Sequence, residues 1–257
     1  MTYCTAVLVE AGLVIIADTR TNAGLDNIST YRKLHLFQAD DRMLAVATAG
    51  NLSITQGVVS LLSEGLENPE TGEMETIYRS KTMFRAAQLI GRAIRRVRTV
   101  DGPALEDVDL RFDCSFLFGG QIAGGPMRLY MIYSAGNFIE CSQEAPFLQI
   151  GEHKYGKPIL DRAIHHGSDL YDALKIALVS MDSTMRSNLS VGLPIDIAVV
   201  RRDTITPELI HRIEVGEPYF HDLRERWSTA LRAAHMAIPT PPYGKQAAAG
   251  GPTKPAG

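Results

Sequence analysis

The sequence predicts an α+β fold, a four-layer αββα sandwich with two antiparallel sheets between two helical layers. Three observations carry this. Strand-like runs come in pairs joined by short turns, which favours antiparallel pairing over βαβ units. Two blocks of helical periodicity, 51–98 and 158–185, interrupt those runs. Each helical block needs a sheet face to cover, so the order strands, helices, strands, helices, strands stacks most economically as four layers.

The elements follow in order. Tyr3 to Val9 and Leu13 to Arg20 flank the turn Glu10-Ala11-Gly12 and read as a hairpin. Thr30 to Phe37 and Met43 to Thr48 form a second pair across the polar turn Gln38 to Arg42. Asn51 caps a helix whose apolar residues include Leu52, Val58, Leu62 and Leu66. Pro69 to Glu73 breaks it. Thr76 to Arg98 then predicts a longer helix with Ile77, Phe84, Ile90, Ile94 and Val97 on one face. Asp101 to Asp109, with Gly102 and Pro103, reads as a polar loop. Strands are expected at Arg111 to Phe118, Met127 to Tyr133 and Asn137 to Cys141. Helices at Pro158 to His165 and Asp169 to Met185 come next, and strands at Pro194 to Arg201 and Leu209 to Val215 close the pattern. Residues 2–237 are expected to form one domain, and 238–257, rich in Pro, Gly and Ala, a disordered tail.

Composition narrows the function classes. Twenty-six basic and 29 acidic residues give a formal charge of −3, so no global field draws the chain to nucleic acid or to a membrane surface. The longest apolar runs fall far short of the roughly 18 to 20 residues of a membrane-spanning helix. No basic-then-apolar leader opens the chain, and a cytoplasmic location is expected. Cys4, Cys114 and Cys141 are too few and too scattered for a disulfide framework or structural zinc, so neither metal nor cofactor is expected.

Three suggestive patterns lead elsewhere. Gly151 to Lys157 has the spacing of a phosphate-binding loop, but Pro158 stands where a hydroxyl must hold magnesium, so a strand-to-helix turn is expected. Arg92, Arg95, Arg96 and Arg98 lack interleaved aromatics and read as a solvated or subunit-rim helix face rather than an RNA site. His165 and His166 lack the i, i+4 spacing of a metal pair.

The chemistry concentrates at the amino terminus. Removal of Met1 is permitted by the small Thr2 behind it and would leave a threonine with a hydroxyl and a free α-amine. That amine has an ordinary pKa of roughly 7.7 to 8.0, low enough to serve as a base for the hydroxyl. The hairpin turning near Ala11 brings Thr2 roughly opposite Thr19 and Arg20, so Asp18 lies close to it. Asp18 also interrupts an apolar run where burial is expected, and a buried carboxylate needs a partner. Lys33 is the candidate. The pair reads either as a structural ion pair or as the group that lowers the pKa of the Thr2 amine and hydroxyl.

The stretches Thr2-Tyr3-Cys4-Thr5-Ala6-Val7, Ile16-Ala17-Asp18-Thr19-Arg20-Thr21, Arg32-Lys33-Leu34 and Ala47-Thr48-Ala49-Gly50 resemble the opening third of proteasome-type β-subunits. They are most similar to the bacterial branch called Anbu, the ancestral β-subunit family, as is Met185 to Gly192. The resemblance covers about residues 2–215. It implies the N-terminal-nucleophile hydrolase sandwich, self-assembly into a ring or open spiral, and threonine-dependent cleavage of peptide or other amide bonds. It says nothing of an ATPase unfoldase partner. By the same resemblance Thr2 is the nucleophile, Asp18 and Lys33 its activating pair, and Arg20 a neighbour of that pair. Gly50 N–H matches the oxyanion donor, and Ser190 the serine near the terminal amine. Two positions depart from the pattern. Glu152 follows Ile150-Gly151 where family subunits usually carry a serine, and Ser187, expected with Arg20 as a supporting residue of the site, stands where they carry an aspartate, with Asp182 out of register. A proteasome-like assembly scaffold with little or no peptidase activity is the alternative reading.

Overall fold

The computed structural model describes residues 1–22 and 28–243. The first hairpin forms as its equal apolar runs dictate: β1 (Tyr3–Val9) and β2 (Gly12–Asp18) pair antiparallel with Cys4 opposite Ala17. The second strand does not reach Arg20. Thr19 is held out of the ladder, its N–H and hydroxyl both donating to Pro194 O at 3.0 and 2.7 Å. A short ribbon follows, β3 (Arg20–Asn22) with β4 (Ile28–Thr30), so the strand expected from Thr30 is split. Its core portion, β5 (Leu34–Ala39), pairs with β6 (Arg42–Gly50).

Asn51 caps α1 (Leu52–Glu64), its side-chain oxygen accepting Ser53 N–H at 3.0 Å. Replacing this cap by alanine is expected to lower stability by about 1 kcal/mol, read as a shift of the urea midpoint. The break at 69–73 closes a two-stranded ribbon, β7 (Leu66–Glu67) with β8 (Met74–Glu75). A single 3₁₀ turn, Ile77–Arg79, precedes α2 (Met83–Glu106). Both ends of α2 differ from expectation. The buried Arg42 guanidinium takes the carbonyls of Ile77 and Ser80 at 3.1 and 2.9 Å, and the helix restarts at Thr82, whose hydroxyl accepts Arg85 N–H. At the other end α2 runs through Gly102 and Pro103, which lie in its last two turns. There the proline brings no N–H to the helix and its ring crowds the carbonyl one turn back, so α2 continues to Glu106 against local propensity.

β9 (Cys114–Ile122), β10 (Arg128–Ile132) and β11 (Phe138–Glu140) follow. β12 (Phe147–Gly151) is a strand that the sequence pattern, which does not alternate there, does not predict. The turn after it opens α3 (Lys157–Ala163) with Pro158 in its first turn. Asp169 caps α4 (Leu170–Ser187), accepting the N–H groups of Tyr171 and Asp172 at 2.9 and 3.1 Å. β13 (Ile195–Arg201) and β14 (Leu209–Ile213) complete the strands.

The result is a mixed α+β fold with two five-stranded antiparallel sheets, ordered β12-β1-β2-β13-β14 and β11-β10-β9-β6-β5. Alternation along β6 explains how the core divides. Leu44 and Val46 join Ile54, Val58, Ile90 and Ile94 of α1 and α2 in one apolar cluster. Met43, Ala45 and Ala47 join Cys4, Ala6, Leu13 and Ile15 of the other sheet in a second.

These elements belong to a compact unit spanning Met1–Glu217; a second unit begins at Pro218. The second contains α5 (Pro218–Ala237), an element the sequence reading lacked, braced by an Arg226–Asp222 ion pair one turn apart at 2.6 Å. Of the expected tail, 244–257 lie outside the described residues. Among the described residues no helix is long and apolar enough to cross a membrane.

Candidate active site

The site is built where three chain segments end together. Thr2 immediately precedes β1 and is buried, while Met1 ahead of it has an exposed side chain. Register sets its neighbours: Tyr3 stands opposite Gly151 on one side, and Cys4 opposite Ala17 on the other. Tyr3 N–H therefore reaches the last residue of β2 and donates to Asp18 Oδ1 at 3.0 Å.

Asp18 is fully buried and takes three donors. Besides Tyr3 these are Lys33 Nζ at 2.9 Å on Oδ1 and Gly192 N–H at 3.4 Å on Oδ2. Burial pushes the Asp18 carboxyl above the ordinary carboxylate range, opposed by the Lys33 ammonium and by the two backbone N–H groups. Lys33 is almost as buried, and its ammonium also donates to Arg20 O at 2.6 Å. The pair expected from the sequence thus forms, one residue from Thr2.

Arg20 contributes both ends. Its carbonyl receives Lys33, while its guanidinium donates to Leu189 O at 2.9 Å and lies flat on Gly192, where a Cβ would stand 2.4 Å from Cζ. The 188–192 loop is thereby tied to the buried pair. Ser190 sits half-buried in that loop, its N–H held by Asn188 Oδ1 at 3.0 Å. Ser187 ends α4 with an exposed side chain and joins none of these contacts. Asp182 is buried one turn back on α4 and pairs with Arg186 at 3.3 Å.

Gly50 ends β6 with φ +109°, and a Cβ there would stand 2.4 Å from Asp113 O, so only glycine fits. Thr48 N–H donates to Lys33 O at 2.9 Å. Strand alternation turns Gly50 N–H, two residues on, to the same edge, beside the N-terminus of α1.

In the sequence Glu152 stands out only as a departure from the β-subunit pattern. Its N–H donates to Thr2 O at 2.7 Å, and its nearly buried carboxylate meets Asn188 Nδ2 at 3.3 Å and Lys154 Nζ at 3.7 Å. A glutamate just after a glycine-terminated strand was the available signal; its closeness to Thr2 needed the β1–β12 register. Tyr3 OH anchors the same corner between Ser180 Oγ at 2.6 Å and Gln149 Nε2 at 2.5 Å, and burial pushes that phenol up to about 12.

Three arginines of α2 are engaged within the chain. Arg92 pairs with Glu75, Arg95 donates to Gly136 O at 3.2 Å, and Arg98 lies 4.7 Å above the Phe112 ring. His165 closes a turn with Ser168 after α3.

Two antiparallel sheets, with a threonine opening one of them beside a buried lysine–aspartate pair, are what the resemblance to proteasome-type β-subunits implies. No family model and no curated protein matches the chain, but solved structures do. Anbu (ancestral beta-subunit) from Yersinia bercovieri is 44% identical, covering 94% of this chain and 100% of that one, with a TM-score of 0.85. An Anbu (Gly-1) mutant from Hyphomicrobium sp. strain MC1 is 47% identical over 93% and 99% of the two chains, at 0.86. The chain of the helical assembly of the Anbu complex from Pseudomonas aeruginosa is 44% identical over 94% and 98%, at 0.85. The chain belongs to the Anbu family.

Proposed function

We propose that this protein is a threonine-type N-terminal-nucleophile hydrolase that cleaves peptide or other amide bonds once Met1 has been removed. The observation that carries the reading is the buried Lys33–Asp18 pair beside Thr2, a cation and carboxylate with little structural reason to be buried at a strand end. Thr2 Oγ attacks the carbonyl, its proton passing to the α-amine, while Gly50 N–H stabilises the oxyanion. The amine returns that proton to the leaving nitrogen as the C–N bond breaks, leaving an ester on Thr2. Water then attacks the ester, releasing the acid and restoring the hydroxyl. The Lys33 ammonium, held in place by Asp18, lowers the pKa of the hydroxyl, Arg20 keeps the pair in place, and Ser190 orders the amine. Ser187 has no role in this scheme.

The same reading takes the two sheets and the α1/α2 and α3/α4 pairs as a four-layer αββα sandwich. It also takes the chain as a cytoplasmic protein that self-associates in a ring or spiral, as the helical assembly of the P. aeruginosa relative suggests. Glu152 and exposed Ser187, in place of a serine and an aspartate, favour the scaffold reading, in which assembly is retained without chemistry.

Intact mass tests the first requirement: the purified protein is expected to lack Met1. A threonine-directed β-lactone is then expected to add its mass at Thr2, and Thr2→Ala to reduce labelling to background. A folded oligomer that has lost Met1 and takes no adduct sinks the hydrolase reading in favour of the scaffold.

A further inference from the structure

The peptide joining Thr2 to Tyr3 is held from both sides by acidic residues, one through its side chain and one through its backbone. Tyr3 turns its N–H to Asp18. Thr2 itself turns its carbonyl the other way, to Glu152 N–H at 2.7 Å, and the pairing of Tyr3 with Gly151 makes Thr2 and Glu152 cross-strand opposites. Extended backbone points a residue's nitrogen and carbonyl to the same edge, so a Thr2 that continues β1 turns its nitrogen toward the β12 edge, which Glu152 follows. Gly151, at φ +80°, allows this approach; a Cβ there would stand 2.0 Å from Thr2 O.

Glu152 is a carboxylate in want of a cation. It is 6% exposed, and Lys154, the cation that reaches it, does so at 3.7 Å with a side chain that is 70% exposed. A pair so loose and so wet offsets little of a buried charge. Removing Met1 changes the balance: an uncharged peptide nitrogen on the Glu152 side becomes an α-ammonium.

We propose that Glu152 is the positioning residue that receives the α-ammonium of mature Thr2, with Asn188 holding the carboxylate through its 3.3 Å contact and Ser190 N–H through its other end. The proposal rests on the reading above that Met1 is removed, and it names the regulation of that site. A carboxylate beside the amine favours the charged form, so less neutral amine is present as base near pH 7 and reactivity moves to higher pH. Other charged groups surround the start of β1. Asp18 and Lys33 neutralise each other, and Arg20 is bound to the 188–192 loop. His153 and Lys154 lie on the turn after β12, and α4 brings Asp182 with Arg186.

The test titrates the amine itself. The full chain is made with Thr2 first, by cleaving an N-terminal fusion. It is labelled with trace acetic anhydride across pH, and the N-terminal peptide is read by mass spectrometry. The midpoint is expected above that of an unstructured threonine peptide, and Glu152→Gln is expected to lower it by about one pH unit. Asn188→Ala is expected to lower it less. Equal midpoints for wild type and Glu152→Gln overturn the proposal; should Glu152→Gln fail to fold, an unmoved Asn188→Ala midpoint does so. A lowered midpoint without any β-lactone adduct leaves this pair standing and removes the hydrolase reading. An adduct with an unmoved midpoint does the reverse.

Discussion

Lys33→Met is expected to cost about 3–5 kcal/mol of stability at neutral pH and to reduce β-lactone labelling of Thr2 to near background. The loss comes from Asp18. With the ammonium at 2.9 Å gone, the carboxylate keeps only the N–H groups of Tyr3 and Gly192 in a site without solvent. Burial already pushes Asp18 upward, and removal of Lys33 takes away the largest opposing influence. The pH dependence follows from the sign. A carboxyl raised in the folded state binds its proton more tightly there than in the unfolded chain. Below the ordinary carboxylate range both states are protonated, and the burial penalty is absent. As pH rises the unfolded state ionises first, and stability falls until the folded carboxyl ionises too. The deficit of Lys33→Met against wild type is therefore expected to be small near about pH 4 and large near about pH 8, read from urea midpoints at both. Asp18→Leu combined with Lys33→Met removes both charges and is expected to recover most of the stability, since a buried ion pair is often matched by apolar residues of similar size. That double variant should remain unlabelled. If it regains labelling, the pair is structural and has no part in the reactivity of Thr2.

This pair was legible because its geometry is local. Two seven-residue strands joined by a two-residue turn leave little choice of register, and Asp18 breaks an otherwise apolar strand. Lys33 needed only the next strand. Asn51 was legible for the same reason, a cap read from a single residue ahead of an apolar run. Glu152 was not, since its bond to Thr2 spans the chain and depends on β12, which shows no alternation. The ends of α2 do not follow local propensity: the helix passes through Gly102 and Pro103 to Glu106, and its start waits on Arg42, which holds the carbonyls of Ile77 and Ser80. The split of the strand at Thr19 depended on Pro194, far along the chain, and no nearby residue announces it. Contacts between distant segments decide the break at Thr19, the start of α2 and the place of Glu152.

Gly151→Ala should separate placement from folding more sharply than any change to the nucleophile. The residue ends β12 at φ +80°, a conformation that a non-glycine residue adopts at some cost, and a Cβ would collide with Thr2 O at 2.0 Å. The colliding atom is backbone, so no side-chain rotation relieves it. The first residue must lift away from β12, breaking the Glu152 N–H to Thr2 O bond at 2.7 Å. Because this lies at the open end of both strands, the ladder from Cys4–Ile150 to Val7–Phe147 can persist. Stability is therefore expected to fall by only about 1–3 kcal/mol. Reactivity is expected to fall much further, since a displacement of about 1 Å from the reacting geometry can cost on the order of 100-fold. Urea midpoints and β-lactone labelling rates on the same sample give both numbers. A labelling rate within about threefold of wild type in a folded Gly151→Ala protein would mean that Thr2 is not held in its reactive position by β12, and the strand-end origin of the site would fail with it.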